Sequence, residues 1–149
     1  MVFLAFLSGV VLAPSVSANG VSQAKVLSVK GEAMFLKNGA ADWVPLEPSV
    51  TLTEGDKVKT AAASQVNLEL TGNAKTAELV VREDSEFTFS TFRYDETSQR
   101  ETTLLDVEIG SVLVKAEKLV GDSKFEVKTP TSIVGIRGTT FEVQVSKES

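Results

Sequence analysis

The sequence predicts an all-β fold: a two-layer domain of short, mostly antiparallel strands, arranged as a jelly-roll-like sandwich or a short β-solenoid. Three observations predict it. Apolar and polar residues alternate with period two in Val66–Leu70, Lys124–Lys128 and Thr140–Val145, the pattern of a strand with one face on a core and the other in water. Turn-forming Gly, Asn and Asp recur between such runs at roughly ten-residue spacing, the rhythm of sandwiches, barrels and solenoids. Beyond Ala18 no segment places apolar residues at i, i+3, i+4 and i+7, so no amphipathic helix is expected.

Taken in chain order, residues 1–18 (MVFLAFLSGVVLAPSVSA) carry no charged side chain and end in Val16-Ser17-Ala18. Small residues there suit a signal peptidase, and Pro14 breaks a helix just before the cleavage point. The segment reads as a cleaved secretory signal peptide; the absence of a Lys or Arg ahead of the apolar run leaves a truncated membrane anchor as the alternative. Residues 19–149 then form one β domain outside the cytoplasm, with no membrane span once the signal is removed. Strands are expected at Lys25–Lys30, Glu32–Lys37, Lys57–Thr60, Thr76–Arg82, Glu86–Tyr94, Thr102–Glu108, Ser111–Glu117 and Ser132–Ile136, besides the three alternating runs. Thr, Val, Ile and Phe are plentiful in them, as a pleated half-buried surface favours. Within Glu86–Tyr94 the phase slips: Phe87 and Phe89 share one face, Phe92 and Tyr94 the other. A β-bulge near Ser90-Thr91 reconciles the four. Turns are expected at Lys30-Gly31-Glu32, Asn38-Gly39, Glu54-Gly55-Asp56, Thr71-Gly72-Asn73, Ile109-Gly110 and Gly121-Asp122. The polar stretch 94–103 (YDETSQRETT) reads as a hairpin tip.

Composition narrows the chemistry. The 149 residues include no Cys and no His, which removes disulfides, thiol nucleophiles, the usual zinc sites and any Ser-His-Asp triad. A net charge of -5 argues against nucleic acid or an anionic membrane as the main partner. Without disulfides, an exported domain must hold together by packing alone. The carboxylates of Glu83-Asp84-Ser85-Glu86 lack the alternating oxygens and central Gly of an EF-hand loop, so a solvated turn is expected there and no metal. No Ser or Thr sits in an activating motif, and nothing singles out a carboxylate pair. No cofactor and no enzymatic activity are expected.

In the C-terminal third the residues become recognisable. The segment 109–145 contains Phe125-Glu126-Val127-Lys128-Thr129-Pro130 and then Val134-Gly135-Ile136-Arg137-Gly138-Thr139-Thr140-Phe141-Glu142-Val143. It resembles the FecR-like domain, named for the periplasmic regulator of iron-dicitrate uptake in bacteria. The earlier half is similar too, through Trp43-Val44-Pro45-Leu46 and Leu52–Thr60, which includes Gly55 and Asp56. The resemblance covers roughly Lys25 to Val145 and implies a bacterial periplasmic domain with a protein partner in the envelope. Full regulators of this type pair that domain with a membrane helix, a cytoplasmic segment that binds a sigma factor, and a further periplasmic lobe that meets an outer-membrane transporter. The present chain is therefore expected to be a stand-alone exported module without the sigma-factor segment.

The motif also has a purely physical reading. Pro130 fixes φ and keeps Thr129 extended, so a strand ends there. Gly135 and Gly138 mark bends or places too close for a Cβ. Arg137 between them is expected to be a buried strut between layers, bonded to a carboxylate such as Asp56 or Glu126; the alternative is an anion contact. Arg137→Ala and Gly138→Val are accordingly expected to lower stability. Asp56 after Gly55 reads as a turn residue, and Trp43 as a core plug rather than a sugar-stacking platform. Two functions compete: an envelope protein-interaction or sensing module that binds by strand addition at an exposed edge, or a structural envelope protein that self-associates or binds surface polysaccharide through Tyr94 or Trp43.

Overall fold

The computed structural model describes Gly9 and residues 22–72, 75–119 and 121–146. The signal-peptide reading of 1–18 thus lies outside the described residues, Gly9 excepted, and so does Asn73 of one expected turn. The described residues form twelve strands: β1 (Gln23–Lys30), β2 (Ala33–Leu36), β3 (Val44–Pro45), β4 (Thr51–Leu52), β5 (Lys57–Thr60), β6 (Gln65–Thr71), β7 (Lys75–Val81), β8 (Glu86–Asp95), β9 (Arg100–Ala116), β10 (Lys124–Lys128), β11 (Ile133–Ile136) and β12 (Thr140–Val145). Among the described residues no helix is long and apolar enough to cross a membrane.

One continuous sheet folds over into two layers. The front layer runs β4-β1-β6-β7-β9-β12. The back layer runs β3-β2-β5-β8-β9-β10-β11. Strand β9 belongs to both: its first part pairs with β8 and β10, and its last part with β7 and β12. All pairs are antiparallel except β9 with β10. The folded sheet, rather than a solenoid, is the two-layer arrangement adopted.

The alternating residues of both layers meet in a single core that includes Leu68, Leu70, Leu79, Phe87, Phe89, Leu105, Val114 and Phe125. The bulge in β8 falls between Phe89 and Thr91. It returns Phe92 to the side of Phe87 and Phe89, and all three are buried with their rings packed edge-on and stacked. The hairpin tip is shorter than the polar stretch suggests, since only 96–99 form the turn, and Tyr94 and Thr103 at its base are buried.

The chain passes between the layers repeatedly, and five of the corners carry a residue at positive φ: Gly31, Ala63, Asp84, Gly110 and Gly138. Four of them stack at one end of the domain, laced by small buried hydroxyls. The Ser64 hydroxyl accepts from the Glu32 amide (2.8 Å), that of Thr60 from Ser85 (3.0 Å), and that of Ser85 from Ser111 (2.9 Å). Gly110 is not the turn its sequence suggests. It lies inside β9, where its positive φ bends the strand from the back layer to the front, and a Cβ there would overlap Ser85. The expected strands Thr102–Glu108 and Ser111–Glu117 are therefore one bent strand.

Candidate binding site at an open flank

A folded sheet has two flanks where its layers face each other, and here they differ in construction. On the first flank, residues 44–52 cross from the back layer to the front. They begin as β3 beside β2, and the Leu46 amide donates to the Ala33 carbonyl (2.9 Å). They end as β4 beside β1, with Ser49 N donating to Val26 O and Val26 N to Val50 O, both at 2.9 Å. Leu46 and Leu52 point inward and are buried, while Val50 packs partly against the core.

Asp56 anchors this crossing. Its side chain is 0% exposed and accepts from the Asn38 amide (2.8 Å), the Thr53 amide (2.9 Å) and Lys37 Nζ (3.0 Å). That ties the loop after β2 to the loop after β4, while Gly55, at φ 88, lets the turn approach Asn38. Asp56 is the turn residue expected, though its carboxylate serves Lys37 and two amides rather than Arg137. The neighbouring Glu54 takes a two-point contact from Arg93 and a hydrogen bond from the Phe92 amide (3.0 Å). The Arg93 contact, aided by the Phe92 amide, holds its carboxyl below the usual range against the opposing effect of partial burial.

On the second flank the edges are β11 and β12, joined directly by the corner at Gly138. Among the described residues no segment crosses between them. The opening is a groove of about 730 Å³ lined by Val134 and the 129–132 turn, by β12, and by Glu108 and Ile109. Val134, Phe141 and Val145 line it half-buried, so core side chains are left partly open to water. Thr129 and Pro130 build the turn at its rim: the Thr129 amide donates to the Ser132 carbonyl (2.8 Å), and the Thr129 hydroxyl accepts from the Ser132 amide (3.1 Å).

The edge strand itself, Ile133-Val134-Gly135-Ile136, contains no charge and no Pro, and Ile133 at its start is 61% exposed. Natural edges are usually blunted by brevity, Lys or Pro. Edges β3 and β4 follow that rule, with two residues each and Pro45 in β3. By the alternation of an antiparallel ladder, the bonded pair Thr129–Ser132 leaves the backbone groups of Ile133 and Gly135 directed outward from β10.

Two expectations are corrected here. Arg137 is exposed rather than buried, and among the described residues it has no carboxylate partner; it follows the last strand of the back layer, which has no neighbour to bury it. A Cβ on Gly135 would meet nothing within 4 Å, because that glycine lies on the outer face of an edge strand. Gly138 does meet its expectation, since φ is 58° and a Cβ would come to 3.1 Å from the Lys118 Cα. Thr139 is exposed, and its carbonyl accepts from the Ala116 amide (3.0 Å), which seats the corner. The sequence motif therefore splits: Thr129, Pro130 and Phe141 line the groove, Gly135 and Arg137 face the other way onto a smaller hollow beside Phe125, and Gly55 and Asp56 sit on the opposite flank.

The aromatic residues considered for glycan contact are already engaged. Tyr94 is 9% exposed, and Lys59 Nζ stands 4.1 Å above the half-buried Trp43 ring. The plug of that flank is Leu46 instead. The groove's Glu142 carboxylate accepts from the Ser111 hydroxyl (2.8 Å) and Arg82 Nε (2.9 Å), which lower its pKa in that order. It is held ionised rather than poised to donate a proton. Ile133, Val134, Val145 and Glu108 went unnoticed as site residues; the signal available was an uncharged apolar strand without a gatekeeping Lys or Pro.

The described residues thus form a two-layer, sandwich-like β domain with one sealed and one unsealed flank. The family follows from the sequence: residues 56–149 match the model of the FecR protein family, and the chain belongs to that family. No curated protein and no solved structure matches the chain. FecR domains are sensing and regulatory modules, and in sensor proteins they lie in the periplasm.

Proposed function

We propose that this domain works in the bacterial envelope, after export, as a non-enzymatic sensing module that binds a protein partner by strand addition. The observation that carries the reading is the unshielded, uncharged edge β11 beside an apolar groove. Backbone groups directed outward supply affinity in such pairing, and side-chain pockets supply selectivity. The structural-protein reading, with surface polysaccharide as ligand, draws less support because Tyr94 is buried and Lys59 covers Trp43. Cross-linking in intact cells with a C-terminally tagged copy tests the function. Adducts to an envelope protein are the expected result; adducts only to other copies or to glycan would make this a structural protein.

A further inference from the structure

The molecule contains its own answer to what closes a flank. On the sealed side residues 44–52, two short strands joined by a turn at Pro48-Ser49, bond to one edge of each layer and place Leu46 and Val50 over the core. The unsealed side offers the same kind of seat: two strand edges facing each other, half-buried apolar side chains between them, and outward backbone groups on β11. Of the two charged residues lining it, Glu142 is already paired with Arg82, and Glu108 has no ion-pair partner among the described residues.

Resting on the interaction reading above, we propose that the groove between β11 and β12 is the docking site, and that it takes an extended segment of a partner protein. That segment lies along β11, seats large apolar side chains against Val134, Phe141 and Val145, and is uncharged or basic where it passes Glu108. It does in trans what residues 44–52 do within the chain. Charge decides against an acidic segment beside Glu108, which has no ion-pair partner among the described residues, because a carboxylate placed next to it is repelled. Apolar burial and the completed ladder supply the attraction, as they do across the sealed flank.

The test places a photo-activated cross-linker, p-benzoylphenylalanine, at Ile133 and separately at Val44 in the full chain in intact cells. Val44 is a fair control because it is 42% exposed on the sealed flank. The expected result is an adduct from position 133 and none from 44, with the cross-link mapped by mass spectrometry to an uncharged or basic stretch of another protein. A synthetic peptide of that stretch then binds the purified chain. Ile133→Lys and Gly135→Pro each weaken that binding about tenfold or more while melting at the wild-type temperature, since both changes sit on outward positions of an edge strand.

A different protein captured only from position 44, or peptide binding that both variants leave unchanged, overturns the groove while leaving a partner in place. An adduct to another copy of this chain, or to an acidic stretch, overturns the proposed occupant. No protein adduct from either position, and none to the tagged copy, removes the interaction reading itself.

Discussion

Along one flank of the folded sheet, residues 44–52 span the two layers, fixed by backbone bonds at both ends and by Asp56 below. Along the other, β11 and β12 converge only at Gly138, and Val134, Phe141 and Val145 stay partly open. Both flanks carry apolar side chains, and among the described residues the difference is that a segment crosses the first and none crosses the second. A sealed flank converts its apolar side chains into stability, whereas an unsealed one leaves them partly in water.

If that contrast is right, truncation should be costly on one side and cheap on the other. Leu46 is 4% exposed, so Leu46→Ala should lower stability by about 2–4 kcal/mol, counting lost burial and the cavity left behind. Val134→Ala, on a half-buried residue, should cost about 1 kcal/mol or less. Urea denaturation of both proteins measures the two values, and equal losses would erase the distinction between the flanks.

Asp56 sharpens the same comparison. Asp56→Ala leaves the Asn38 and Thr53 amides without their acceptor beneath the sealed crossing, at an expected cost of about 2–3 kcal/mol. Loosening should be local as well, with faster hydrogen exchange in 44–52 than in β12. An unfolding midpoint unchanged from wild type would mean that the crossing holds without its anchor.

Within the unsealed flank, neighbouring residues of one motif separate. Gly138→Val forces a β-branched residue into positive φ against the Lys118 backbone, which should lower stability by about 2 kcal/mol or more. Arg137→Ala removes an exposed side chain and should change stability by less than about 0.5 kcal/mol. A large loss on Arg137→Ala would restore the buried-strut expectation that the exposure of this side chain now contradicts.

That expectation shows where the sequence stops being legible. Alternation located β10 and β12 to the residue, the less strict run Lys57–Thr60 matched β5, and the phase slip among Phe87, Phe89, Phe92 and Tyr94 located the bulge in β8. Period-two patterning reports which face of a strand is buried, but not whether a further strand lies beside it. Arg137 and Gly135 were misjudged for that reason: their exposure depends on β11 being last in its layer, a fact of topology. Strands β3 and β4 escaped because two residues carry no periodicity. Gly110 was misread because a strand that bends between layers and a turn both require positive φ. The corner hydroxyls left a faint trace, in that Ala63-Ser64 and Asp84-Ser85 each pair a positive-φ residue with a buried Ser.

The smallest expected effect concerns pH, and each flank has its own reporter. Glu54 beside the sealed crossing and Glu142 on β12 both have carboxyl pKa values below the ordinary range, through Arg93 in the first case and through Ser111 and then Arg82 in the second. A carboxyl lowered in the folded state contributes stability that is fully present above its unfolded value, about 4.3 for Glu. That contribution is lost as pH falls through the lower folded value. Both contacts are thus intact at neutral pH and released in acid. Solvent and salt screen these exposed pairs, so the change in melting temperature should be slight. The Phe92 amide gives the sharper readout, because it donates directly to Glu54. Its exchange protection should fall on acidification, and Glu54→Gln should remove that dependence. For Glu142→Gln, the slight loss of melting temperature in acid should shrink while Phe92 keeps its own pH response. A Phe92 response that follows the Glu142 change instead would mean that the two flanks are coupled through the core rather than built independently.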